Sequence, residues 1–304
     1  MHHHAHGTGW VLRLSLAATL TFTAFEVWAG LRAHSLALLS DAGHNFTDAL
    51  ALLLAAIGIY LQGKPADEAR TYGYHRAGVL TAFVNALTLV ILSLFIFWEA
   101  GTRFIQPDRV NDQIMIVVSM AALVVNAAIM AALHRGKQDL NIRAAFVHMA
   151  GDALGALAIL VGAIIIRQTG WYYIDPILSI AIGLLIIYSA WDIIRESLNI
   201  LLEGLPRGMD LAHIAVRMKE VAGVHDVHDL HVWSLGAKTH ALSCHVLIED
   251  MPPSESARIL KQVKDVLCGF GIHHTTVQFE HIPCVLSDQG CRMNAAVSHH
   301  GHTH

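Results

Sequence analysis

Residues 38–58 read LLSDAGHNFTDALALLLAAIG. Leucine and alanine fill the stretch as they fill a helix inside a bilayer, yet Asp41, His44, Asn45 and Asp48 interrupt it. An Asp near the centre of a membrane helix costs at least ~2.5–3.5 kcal/mol, so it needs a partner. On a helix, positions i and i+4 share one face about a turn apart, so His44 and Asp48 present a nitrogen and an oxygen in the same direction. The pattern returns once: His44-x-x-x-Asp48-Ala-Leu is echoed by His148-x-x-x-Asp152-Ala-Leu.

The rest of the chain supplies the membrane. It has 304 residues, 54% hydrophobic and only 14% charged, with a mean hydropathy of +0.48. Soluble domains carry about 25% charged residues, so the balance is that of an integral membrane protein. A net charge of −4 is too mild for a nucleic-acid binder, whereas 22 histidines point to a metal or a proton. Six apolar stretches, near 10–32, 35–61, 78–100, 113–134, 143–167 and 175–197, each approach or exceed the ~20 residues a spanning helix needs. The first lacks a small-residue cleavage pattern and runs into the second, so it reads as a span and not a signal peptide. Arg13, Lys64, Arg70, Arg76, Arg135, Lys137, Arg143, Arg195 and Arg207 fall on one side; Arg32, Arg103, Arg109 and Arg167 fall on the other. Basic residues stay inside, so both termini are expected in the cytoplasm.

Three crossings separate the two HxxxD helices, which therefore run antiparallel. Facing each other they supply two nitrogens and two oxygens, a set that suits tetrahedral Zn²⁺. Ca²⁺ or Mg²⁺ wants six or more oxygens, and Cu(I) wants sulfur, which the spans do not offer as cysteine. Co²⁺, Ni²⁺ and Cd²⁺ remain open by ligand type. The alternative for such residues is structural hydrogen bonding between helices, and two copies at similar depth on opposed helices argue against it. Midplane sites are where alternating-access carriers hold substrate, and ligands that lose protons to bind metal link its movement to a proton gradient. A membrane metalloenzyme needs an open coordination position and a general base, and no HExxH motif is present. A sensor merely anchored by its spans would not require two charged midplane motifs.

After residue 205 the composition changes. PRGMDLAHIAVRMKEVAGV (206–224) reads as an amphipathic helix opening after the proline and closing at Gly223. VHDVHDLHVWSLGAKTHALSCHVLIED (224–250) alternates like two strands around a turn at 235–238. SESARILKQVKDVLCGFG (254–271) is a second helix with Ser254 as its N-cap and Gly269 or Gly271 as its stop, and HHTTVQFEHI (273–282) is a third strand. The order suggests a small two-layer α/β domain. Cys244, Cys268, Cys284 and Cys291 form no C-x-x-C pair and read as free thiols. The tail over 286–304 is expected to be disordered. MHHHAH and SHHGHTH are imidazole clusters, the first read as a tag or as a zinc-collecting arm.

SLALLSDAGHNFTDALAL (35–52), TYGYHRAGVL (71–80), DLNIRAAFVHMAGDALGALAIL (139–160) and VHDLHVWSLG (227–236) together resemble the cation diffusion facilitators, in their zinc-exporting bacterial branch and similar to the animal zinc transporters. The resemblance runs from about 10 to 284. It implies six transmembrane helices followed by a ferredoxin-like cytosolic domain, a homodimer formed through that domain, a bacterial inner-membrane location, and zinc/proton antiport out of the cytoplasm. The implied organisation is a His-rich arm over 1–9, a transport domain over 10–204, a cytosolic metal-binding domain over 205–285 and a tail over 286–304.

By position, the resemblance assigns His44, Asp48, His148 and Asp152 to the transport site, with His at the first place as in relatives that prefer zinc to cadmium. Asp41 and Asn45 are read as helix-to-helix hydrogen-bonding residues, and Glu26 as part of a proton or hydration path. Some relatives hold a second zinc in the loop over 62–77; here Asp67 is present, but Arg70 stands where one histidine would be, with Tyr74 or His75 near the other. His75 instead matches the animal pattern, in which it shares a metal with a cytosolic His such as His273. Arg76 and Glu203 match a charge interlock that locks helices across the dimer. His228, His245 and Glu280 align with regulatory metal ligands, and the adjacent His281 is a substitute. His231 and Trp233 are read as structural residues of the strand's core face. Cys284 matches a family cysteine, but the cysteine pair of the animal proteins is absent, and Cys291, seven residues on, is weak as a ligand.

Overall fold

The computed structural model describes residues 20–133, 140–236 and 239–282. The N-terminal cluster, the tail, Cys284 and Cys291 lie outside them. The chain divides into two compact units, one over 1–57 and 81–195, the other over 58–80 and 196–304.

The helices are α1 (20–33), α2 (Leu36–Gln62), α3 (Ala77–Ile105), α4 (Asp112–Leu133), α5 (Leu140–Thr169) and α6 (Ile174–Leu201). Helices α2 to α6 are five candidate membrane spans by length and hydropathy. The expected first span is described only from residue 20, so five of the six expected spans stand among the described residues. Their sequences make helices because a chain in hydrocarbon must satisfy every backbone group within itself. Large apolar side chains such as Trp98, Ile105, Tyr188 and Trp191 point outward, as lipid-facing residues do.

Two features of the first unit fix α2. A Cβ on Gly43 would lie 2.7 Å from Cδ2 of Leu92, so glycine lets α3 approach α2 one residue before His44. At the start of α2, the fully buried Asp175 of α6 accepts hydrogen bonds from Ser35 Oγ (2.6 Å), Leu36 N (2.7 Å) and Ala37 N (3.2 Å). It thus caps the positive end of α2 from a different helix. Arg103 of α3 donates to Asp175 at 3.3 Å and to the His34 carbonyl at 2.6 Å, closing the node.

In the second unit the chain continues through α7 (Leu211–Lys219), β1 (Asp226–Gly236), β2 (Thr239–Leu247), α8 (Pro253–Gly269) and β3 (Ile272–Glu280). The sheet order is β1-β2-β3, with β1 and β2 antiparallel and β2 and β3 parallel through the α8 crossover. Ile259, Val263 and Leu267 form the i, i+4, i+8 stripe that α8 buries against Ile214, Met218, Leu242 and Val246.

Three expectations are corrected here. Helix α7 opens after Asp210, whose carboxylate accepts from Ala212 N at 2.9 Å, and not directly after the proline. Ser254 does not cap α8: Pro252 holds the N-cap position and Pro253 takes the first helical place, where a missing N–H costs nothing. His231 is exposed and Val232 buried in its stead, because a register break between His228 and His231 interrupts the alternation. Asp229, at φ 50°, sits in that break, and Gly271, at φ 74°, provides the left-handed turn after α8.

Candidate metal sites

In the first unit, α2 and α5 bring the two HxxxD pairs together. His148 Nε2 lies 3.3 Å from Asp48 Oδ2 and 3.6 Å from Asp152 Oδ2. His44 Nε2 lies 3.7 Å from Asp152 Oδ1 and 3.9 Å from Asp48 Oδ2. Each histidine thus faces both carboxylates, including that of the opposite helix. The rings meet edge-on, with centroids 6.2 Å apart. Nitrogen and oxygen ligands about 2.0–2.1 Å from a tetrahedral ion stand roughly 3.3–3.4 Å apart, so a modest contraction would close the set on one ion. Around it, Asn45 Nδ2 donates to Glu26 Oε2 of α1 at 2.8 Å, and both Glu26 and Asp41 are buried. Asn45 is therefore engaged helix to helix. Asp41 faces Gly155 of α5, where a Cβ would lie 3.8 Å from its Oδ1.

In the second unit a tighter group forms across all three strands. His228 on β1 stands opposite His245 on β2, and Glu280 lies on β3 two residues beyond Gln278, the partner of His245. Glu280 Oε1 is 2.9 Å from His245 Nδ1, and its Oε2 is 3.1 Å from His228 Nε2. One ligand atom from each of the three lies within 4.8 Å of the other two, a closeness that no other such group reaches among the described residues. His245 Nδ1 and both nitrogens of His228 are buried with carboxylate oxygens close by but none in hydrogen-bonding geometry, which is costly unless something else binds them. The residues present fit a divalent ion.

The remaining candidates separate. His281 Nδ1 lies 3.2 Å from the Glu249 carbonyl. His75 shares a concavity with Tyr72 and His274, while His273, on the alternate face of β3, packs its Nδ1 3.7 Å from Cys268 Sγ. Arg76 Nη2 meets Glu203 Oε1 at 3.0 Å within one chain. Asp67 accepts from Arg70 N at 2.6 Å and Ala69 N at 3.0 Å and meets the Tyr74 hydroxyl at 3.1 Å. The Arg70 amide above all holds its carboxyl below the usual range, so it serves as a loop clasp. Burial pushes the Cys244 thiol up to about 12, so it stays a protonated thiol in the metal-free protein.

Comparison with known proteins decides the family. Residues 12–202 match the cation efflux transmembrane domain, and residues 206–282 match the cytoplasmic domain of cation efflux proteins. The chain belongs to the cation efflux family. It is 40% identical over 297 residues to the zinc transporter ZitB of Shigella flexneri, covering 96% of this chain and 93% of that protein. It is 37% identical over 297 residues to the metal cation efflux system protein CzcD of Cupriavidus metallidurans, covering 97% and 94%. A cadmium, cobalt and zinc/H(+)-K(+) antiporter of Bacillus subtilis is 36% identical over 284 residues, covering 92% and 91%. Cation efflux is transport, and the family reading displaces the metalloenzyme alternative.

Sequence reasoning missed Asp175, Arg103, Asp226 and Asp229. Asp175 opens its helix as an ordinary first-turn acid would, and nothing local shows that it caps another helix. Asp226 and Asp229 flank His228 in a run of alternating residues, and the register break that aims Asp229 leaves no mark on the pattern.

Proposed function

We propose that this chain exports Zn²⁺ from the cytoplasm in exchange for protons, by alternating access through His44, Asp48, His148 and Asp152, with Cd²⁺, Co²⁺ and Ni²⁺ as further substrates to test. The observation that carries the reading is the meeting of the two HxxxD pairs, with nitrogen–oxygen separations of 3.3 to 3.9 Å between α2 and α5. The relatives named as a zinc transporter and as a cadmium, cobalt and zinc/H(+)-K(+) antiporter support the substrate and the coupling. Protons take the ligand atoms when the metal leaves, so each delivered ion returns protons in the other direction.

The reading includes six spans over 10–204, both termini on the cytoplasmic side of a bacterial inner membrane, a cytosolic metal-binding domain over 205–285, and His-rich segments over 1–9 and 286–304. It includes a homodimer joined through the cytosolic domain, as the match to that domain supports. His228, His245 and Glu280 would hold a resident ion that cross-links β1, β2 and β3 when bound. His281, His273 and His75 are secondary candidates. Equilibrium titration of the wild type beside Asp48→Ala with Zn²⁺, Cd²⁺ and Co²⁺ tests the assignment. Loss of one binding event in the variant is expected, and identical isotherms would refute it.

A further inference from the structure

Each ligand histidine of the cytosolic group has a second nitrogen, and each of those nitrogens faces an acid. His228 offers Nε2 to Glu280 and turns Nδ1 toward Asp226 Oδ2, at 3.5 Å. His245 offers Nδ1 to Glu280 and turns Nε2 toward Asp229 Oδ2, at 3.8 Å. Both acids come from β1 and neither belongs to the three-residue group. Asp226 reaches His228 because residues two apart share a strand face. Asp229 reaches across to β2 because the register break gives it a left-handed backbone, φ 50°, which Asp tolerates better than most residues. Its other oxygen is held 3.0 Å from His231 Nε2, fixing the carboxylate. Asp226 meets Lys219 Nζ at 2.7 Å through its other oxygen.

A histidine that binds a metal through one nitrogen carries a proton on the other, and a carboxylate there fixes the tautomer and ring orientation and raises ligand basicity. We propose that Asp226 and Asp229 are positioning residues of the cytosolic metal site, each orienting one ligand histidine through its non-ligating nitrogen. The proposal rests on the reading of His228, His245 and Glu280 as ligands. It also gives the strained backbone at Asp229 a task, since such conformations persist where the surroundings hold them.

The test uses the full-length protein in detergent with Asp48→Ala as parent, so that the cytosolic site is read apart from the transport site. Zn²⁺ affinity is measured by chelator competition, and Co²⁺ coordination by its visible absorption. Asp226→Asn and Asp229→Asn should each weaken Zn²⁺ binding roughly 10- to 100-fold. At saturating Co²⁺ both should keep the parental band, because the ligands themselves are unchanged. Lys219→Met removes the ion pair but leaves the carboxylate, and should bind as the parent does. Asn variants within two-fold of the parent overturn the proposal, as does a changed saturated Co²⁺ band, which would make the acid a ligand. Weakening by Lys219→Met equal to that of Asp226→Asn would overturn it for Asp226. If Glu280→Gln leaves the parental affinity untouched, the ligand assignment itself fails and the proposal falls with it.

Discussion

At the scale of single residues, the proposed transport site uses all four side chains, because each histidine faces both carboxylates and no ligand is spare. Replacing Asp152 by Asn keeps the volume and removes the charge, leaving two histidines and one acid for a divalent ion. Zn²⁺ affinity of Asp152→Asn, measured by titration, should fall by at least 10-fold, and a smaller change would argue that the ion sits elsewhere. The two HxxxD pairs were legible in the sequence because a helix has one period, and i, i+4 spacing translates directly into a shared face. The three-strand group was only partly legible. Alternation shows which face a strand residue occupies, whereas His228, His245 and Glu280 meet through register across β1, β2 and β3, which the pattern does not carry.

At the scale of elements, the position of the proposed transport site depends on how α2 begins. Asp175 and Arg103 hold that start, and Asp175→Asn removes the charge that both the helix end and the guanidinium face. Breaking a buried pair from one side costs about 3–5 kcal/mol, less where an amide oxygen still accepts. A lowered thermal midpoint together with reduced zinc flux is expected; a lowered midpoint with normal flux would separate the node from the site. The Arg76–Glu203 pair is partly exposed and worth at most about 1 kcal/mol, so the proposed interlock would act by position and not by stability. Reversing either charge should lower flux, and reversing both should restore it; failure of rescue argues against the pairing. In the sheet, burial and then the nearby His273 push the His240 imidazole below its ordinary value. The unfolded chain therefore takes that proton first, and this share of stability is present above about pH 6.5 and lost as pH falls toward the folded value. Melting of the metal-free protein between pH 7.5 and 5.5 should show this decline, and His240→Asn should flatten part of it.

At the scale of the molecule, the two family matches divide the labour between a membrane unit and a cytosolic unit, and each carries its own histidine–carboxylate chemistry. Nitrogen–oxygen separations are 3.3 to 3.9 Å in the membrane pairs and 2.9 to 3.1 Å in the cytosolic trio. The central claim of the proposed function is that metal crosses through the pairs on α2 and α5 in exchange for protons. The measurement that meets it head-on is Zn²⁺ flux in proteoliposomes under an imposed pH gradient, for the wild type beside Asp48→Ala and His148→Ala. The account predicts wild-type flux that rises when protons flow against the zinc, and loss of flux in both variants. Wild-type zinc movement indifferent to the gradient, or transport surviving in either variant, would contradict it.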